Sequence, residues 1–212
     1  PSPLKFIGLC RNATNQIDME AAAARGVVVV NTPGRNANAV AEMTIGLAFA
    51  LARRIPKLHT YVSSGGWADP LTPYTELRGT ELAGKTLGVV GLGAIGKRVA
   101  RLGHALGMRT LGHDPYATAP RYVAMSTIDE LLTHSNVVTL HVPETAETMK
   151  MIGEKQLALM ESTSYLINTA SAALVDEMVL VEALRSKRIA GAALDVFETH
   201  PVVPNSPLLK LD

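Results

Sequence analysis

The chain has 212 residues, 47% of them hydrophobic and 18% charged, with a formal net charge of +1. That length buries one good core, or one domain plus part of another. The composition excludes a disordered chain, and the near-balanced charge leaves no electrostatic footprint for nucleic acid or an acidic membrane surface. A single cysteine, Cys10, excludes an internal disulfide and suits a reducing, cytoplasmic setting. The longest uncharged apolar run, Met43–Ala52, is half of what crossing a membrane needs, and no secretory signal is expected.

In chain order, Leu4–Leu9 reads as a short buried strand, and Asp18 caps a predicted helix over Met19–Arg25 that Gly26 closes. Val27–Val30 is a second strand, β-branched throughout. Asn31-Thr32-Pro33-Gly34 is a turn. From about Asn38 to His59 apolar residues recur at helical spacing (Val40, Met43, Thr44, Leu47, Leu51), predicting one long helix that Pro56 kinks or ends. Residues 63–78 read as an irregular connector. After Gly84 the pattern changes. Strands are expected at Thr86–Val90, Thr110–His113, Val137–Val142, Tyr165–Ile167 and Ala190–Phe197. Helices are expected at Gly96–Leu106, after the capping-box spacing Thr127–Glu130, at Glu154–Met160, and at Glu177–Arg185 behind Asp176. Apolar strands alternating with helices predict an α/β fold with a doubly wound parallel sheet.

Gly91-Leu92-Gly93-Ala94-Ile95-Gly96 follows a strand and opens a helix. In that setting Gly91 permits the tight turn, Gly93 lets the backbone approach a pyrophosphate, and Gly96 permits close packing of helix on strand. The helix N-terminus offers free N–H groups to the phosphates. Asp114, at the end of the next strand, stands where an acidic residue binds the adenosine ribose. Its charge favours NAD over NADP. The alternative is a purely architectural turn, with Asp114 capping the Pro115-Tyr116 turn. The histidines show no metal-ligand spacing, so no metal site is expected.

The segments NTPGRNANAVAEMT (31–44), GVVGLGAIGKRVAR (88–101), HDPY (113–116), TLHVPETAETMKMIG (139–153), LINTASAALVDE (166–177) and AGAALDVFE (190–198) run in order over nearly the whole chain. Together they resemble the D-isomer-specific 2-hydroxyacid dehydrogenases, the family that includes phosphoglycerate dehydrogenase. The resemblance implies a Rossmann-type NAD-binding domain over 33–212, including the long helix 38–59, and a remnant of a flavodoxin-like substrate lobe over 1–32. It implies cofactor contacts at Thr44, Ala94, Ile95, Val142, Thr169, Ala170, Ser171 and Asp195, beside Gly91, Gly93, Gly96 and Asp114. It also implies a homodimer through the long helix, whose Ile45, Ala48, Phe49 and Ala52 lie on more than one face.

The implied reaction moves a hydride between the nicotinamide and a small 2-hydroxy or 2-keto acid. It requires a cation to fix the substrate carboxylate, a histidine to exchange the hydroxyl proton, and a carboxylate to orient that histidine. By the resemblance the family's Arg, Glu and His carry these roles. Here Ser171 occupies the Arg position and His200 the Glu position, and the His is expected beyond Asp212. Arg11 and Asn12 stand in the loop that would meet the substrate carboxylate, with Arg11 as a candidate replacement cation and His200 as a candidate acid–base group. Three readings follow: an NAD-dependent dehydrogenase with an altered site, a non-catalytic NAD(H)-binding protein acting through partners, and a structural relative without cofactor.

Overall fold

The computed structural model describes residues 4–10, 14 and 16–211. Two parallel strands, β1 (Phe6–Leu9) and β2 (Val28–Asn31), are joined by α1 (Met19–Ala24). The Asp18 carboxylate accepts from Ala21 N at 2.8 Å, and Gly26 leaves the helix at φ +66°. Three helices follow: α2 (Ala37–Ala52), α3 (Ile55–Ser63) and α4 (Thr72–Thr75). The rest builds a six-stranded parallel sheet from β3 (Thr86–Val90), β4 (Arg109–His113), β5 (Val123–Met125), β6 (Val137–Leu140), β7 (Tyr165–Asn168) and β8 (Gly191–Leu194). Its helices are α5 (Gly96–Ala105), α6 (Ile128–His134), α7 (Glu154–Leu159) and α8 (Glu177–Arg185).

The strand order is β5-β4-β3-β6-β7-β8. The chain therefore winds outward from β3 in one direction, returns, and winds outward from β6 in the other. Both faces are covered, and the strand residues sort by face. Leu87 and Val89 of β3, Val137 of β6 and Ile167 of β7 pack with α2 and α5. Val90, Val138, Leu140 and Leu166 pack with α6, α7 and α8. Period-two alternation with apolar residues on both sides is what made these strands legible as continuous apolar runs. The capping box at Thr127 forms: Glu130 N donates to Thr127 Oγ1, and Thr127 N donates to the Glu130 carboxylate at 2.9 Å.

The predicted helix 38–59 is two helices. Pro56 has no N–H, and in a continuous helix its ring would meet the Ala52 carbonyl four residues back. The chain breaks there. Arg54 turns left-handed at φ 53°, and the freed Ala52 carbonyl accepts from Thr80 N at 2.7 Å. The faces differ as well. Ala48 and Ala52 are buried inside the chain's own core, 3% and 1% exposed, because α2 lies against β7, β8 and α5. Their side chains are taken up by this packing. β6 and β8 end earlier than expected, and the three-residue edge strand β5 and the single-turn α4 are too short to show a period.

Candidate functional site

The strand order reverses between β3 and β6, so the connections leaving their C-terminal ends diverge to opposite faces and open a crevice. The glycine turn stands at this point. Gly91 takes φ +93°, and a Cβ on it would lie 2.7 Å from the His141 carbonyl and 2.9 Å from Val142 Cγ1. The turn is thus held flat against the end of β6. A Cβ on Gly96 would meet the Gly91 carbonyl oxygen at 1.8 Å, whereas one on Gly93 would meet nothing within 4 Å. The three glycines do three jobs: two remove side chains that would collide inside the protein, and the middle one leaves open space above the backbone.

Asp114 locks the turn from β4. Its Oδ2 accepts from Leu92 N at 2.7 Å, and its Oδ1 accepts from Tyr116 N and Ala117 N, both at 2.9 Å. Partial burial pushes its carboxyl pKa up, but the N–H bonds from Leu92, Tyr116 and Ala117 outweigh this and hold it below the usual carboxylate value. A carboxylate has about four lone-pair sites, so ribose hydroxyls still find acceptors. Asp114 therefore caps its own turn and faces the crevice at once. Among the described residues no side chain caps the first turn of α5 behind Ile95. Arg98 ties this region to the start of α2 through Asn38 Oδ1 and the Ala94 carbonyl, both at 2.6 Å.

The end of β7 forms the other wall. Asn168 Nδ2 donates to the Ser171 carbonyl at 2.7 Å, and its Oδ1 accepts from Ala170 N at 3.1 Å, which folds residues 168–171 into a tight turn. Thr44 on α2 is 1% exposed; its hydroxyl donates to the Val40 carbonyl at 2.8 Å and meets the Thr169 hydroxyl at 3.1 Å. Each hydroxyl has one proton, so Thr169 donates to Thr44. The Thr44 proton is therefore committed inside the protein. Ser171 caps the following 3-10 turn by accepting from Ala173 N, and donates to Glu144 Oε2 at 2.7 Å. Asp195 N donates to the Asn168 carbonyl at 3.0 Å, which sets exposed Asp195 at the rim of the same wall.

The structure thus gathers Gly91, Gly93, Ala94, Ile95, Gly96 and Asp114 on one wall, and Thr44, Thr169, Ala170, Ser171 and Asp195 on the other, with Val142 between. His200 is exposed on the connection after β8, and among the described residues no hydrogen bond or ion pair joins it to Ser171. Arg11 and Asn12 lie outside the described residues. Two site residues were not singled out from sequence. Asn168 was readable as a turn former ahead of Thr169-Ala170. Glu144 had only its place in the segment 139–153, two residues past the expected end of the strand.

His141 closes the floor. Its Nε2 lies 3.0 Å from Thr139 Oγ1, and its Nδ1 is enclosed without a partner among the described residues. Burial of the ring lowers its pKa to about 4, so it is neutral near pH 7.

A doubly wound sheet with a glycine turn and a turn-locking aspartate at its switch point defines a dinucleotide-binding domain. The open space over Gly93 and the uncapped head of α5 fit a pyrophosphate. Residues 45–212 match the family model described as D-isomer specific 2-hydroxyacid dehydrogenase, NAD binding domain. The chain belongs to the D-isomer-specific 2-hydroxyacid dehydrogenase family, and NAD is its cofactor. It is 43% identical over 216 residues to D-3-phosphoglycerate dehydrogenase of Methanocaldococcus jannaschii, covering 99% of this chain and 40% of that one. It is 42% identical to glyoxylate reductase of Thermofilum pendens, over 99% of this chain and 63% of that one. The crystal structure of TT0316 protein from Thermus thermophilus superposes with a TM-score of 0.91 at 38% identity, over 98% of this chain and 66% of that one. The chain therefore spans less than two thirds of these relatives. Among the described residues no helix is long and apolar enough to cross a membrane.

Proposed function

We propose that the chain is the NAD-binding part of an oxidoreductase that passes a hydride between the nicotinamide and a small 2-hydroxy or 2-keto compound. The names of the relatives, D-3-phosphoglycerate dehydrogenase and glyoxylate reductase, point to acids of this class. The observation that carries the reading is the locked glycine turn, with Leu92 N–H on Asp114 and open space over Gly93. Ala94 and Ile95 N–H groups at the head of α5 hold the pyrophosphate, and Asp114 accepts the adenosine ribose hydroxyls. Val142, Thr169 and Ala170 wall the nicotinamide end, and Asp195 accepts from its carboxamide. When bound, NAD supplies or takes the hydride. The protein's part is to hold the dinucleotide and fix the face it shows to the substrate. Residues 1–32, carrying the separate two-stranded sheet, belong to the substrate lobe, with Arg11 and Asn12 meeting the substrate. Residues 33–212 are the NAD lobe.

One observation favours a second reading, a non-catalytic NAD-binding protein: Ser171, at the family's Arg position, spends its hydroxyl on Glu144. The test is NADH fluorescence with a panel of small 2-keto acids and their neutral counterparts. Consumption of bound NADH by any of them supports the oxidoreductase; a bound signal that persists with all of them supports the second reading.

Asp114→Ala separates both from an architectural turn. It strands three backbone N–H groups and is expected to cost about 1–3 kcal/mol without any ligand. The informative quantity is therefore the rise in melting temperature on adding NADH, which is expected to shrink in the variant. An unchanged rise argues for architecture alone.

We also propose a homodimer in the cytoplasm. The exposed apolar side chains Met43, Ile55, Val62, Trp67 and Tyr74 along α2 to α4 support a self-association surface. Exposed, unpaired Cys10 suits a reducing compartment. Light scattering is expected to give twice 22.5 kDa, and the single-chain mass at micromolar concentration would contradict the dimer.

A further inference from the structure

We infer that Ser171 and Glu144 form a hydrogen-bond-accepting subsite that selects a substrate carrying an N–H or O–H donor, not a carboxylate, on the carbon beside the reacting carbonyl. The inference rests on the proposed oxidoreductase reading and names the substrate class of that same crevice. Ser171 lies three residues beyond the end of β7, and Glu144 four beyond the end of β6. These strands are neighbours, and their C-terminal connections line the crevice next to the glycine turn. The 2.7 Å bond from Ser171 Oγ to Glu144 Oε2 joins the two loops across the position where an Arg would clamp a substrate carboxylate.

The pairing has a direction. Asn168 and the Ala173 N–H fix the Ser171 turn, and the Ser171 proton is committed to Glu144. What remains for a ligand is lone pairs: one on Ser171 Oγ and several on the Glu144 carboxylate. No ion pair neutralises Glu144 among the described residues. Lys150, the next cation along the chain, is held by Asp176 at 3.0 Å. A second carboxylate brought beside this pair meets a like charge, and neither Ser171 Oγ nor Glu144 has a proton left to donate to it. An amide, hydroxyl or ammonium group finds an acceptor of the right sign. Glu144 is exposed and Ser171 half-buried, so both are reachable from the crevice.

The test uses the 212-residue chain loaded with NADH and two probes of one skeleton, pyruvate and pyruvamide, which differ only in carboxylate against amide. Binding is read as the change in fluorescence of bound NADH, independently of turnover. Pyruvamide is expected to bind at least about tenfold tighter than pyruvate, a modest difference for one charge-assisted contact. Glu144→Gln is expected to erase most of that ratio, and since Glu144 is exposed, its melting temperature checks that the fold survives. Ser171→Arg is expected to turn the preference toward pyruvate. Equal or tighter binding of pyruvate by the unaltered chain, a ratio unmoved by Glu144→Gln, or binding of neither probe overturns the subsite while leaving NAD binding intact. Failure of NADH itself to bind overturns both the subsite and the reading beneath it, so the two failures are distinguished within one titration series.

Discussion

Gly96→Ala is expected to abolish NADH binding and to lower stability by about 3 kcal/mol. The added methyl carbon would stand 1.8 Å from the Gly91 carbonyl oxygen and 3.2 Å from Val89 Cγ1. Neither neighbour can yield. Val89 is fully buried in the sheet core, and Gly91 is pressed against the His141 backbone in a left-handed conformation. The turn moves as a unit or α5 lifts from β3, and either movement pulls Leu92 N–H from Asp114. Gly93→Ala is the matched control. Its methyl meets nothing within 4 Å, so the ligand-free melting temperature should hold, while the methyl fills the space the pyrophosphate needs. Thermal melts with and without NADH check both. Wild-type melting of Gly96→Ala would show that the turn does not depend on the close approach described here.

The second large effect is acid sensitivity at His141. In the unfolded chain this ring titrates near pH 6.5, whereas in the fold burial holds its pKa at about 4. The folded state therefore binds fewer protons between these values. The stabilisation is complete above pH 6.5 and is lost as pH falls toward 4, amounting to about 3 kcal/mol over that window. Asp114, whose carboxyl pKa is held below the ordinary 3.8, adds a further loss that sets in as pH falls below that value. The two are separated by His141→Gln, which keeps a polar group near Thr139 and cannot take up the proton. Melting curves at about pH 7 and about pH 4.5 should show a markedly smaller fall for the variant than for the unaltered chain. Parallel falls would mean that the ring protonates freely in the folded state.

Much of this was legible in sequence because the buried sheet writes itself as apolar runs. Thr86–Val90 and Glu177–Arg185 appear at their expected bounds, and Thr127–Glu130 forms its capping box. The glycine turn was legible because each of its glycines answers a local steric demand. Tertiary choices were not. Pro56 announced trouble in the long helix, but the left-handed Arg54 and the Thr80 N–H on the Ala52 carbonyl show where the chain breaks. Ala48 and Ala52 read as a free face until α5 is seen against them. Glu144 lies inside the quoted segment 139–153, but nothing in that segment marks it as a site residue; it becomes one only when β6 and β7 lie side by side and Ser171 reaches across.

The crevice beside the glycine turn is where the dinucleotide is expected to sit. The most direct test is a calorimetric titration of the chain with NADH and, separately, with NADPH. The structure predicts saturable one-site binding of NADH and much weaker binding of NADPH, whose 2′-phosphate meets the Asp114 carboxylate. No heat with NADH, or equal affinity for the two nucleotides, would contradict the account.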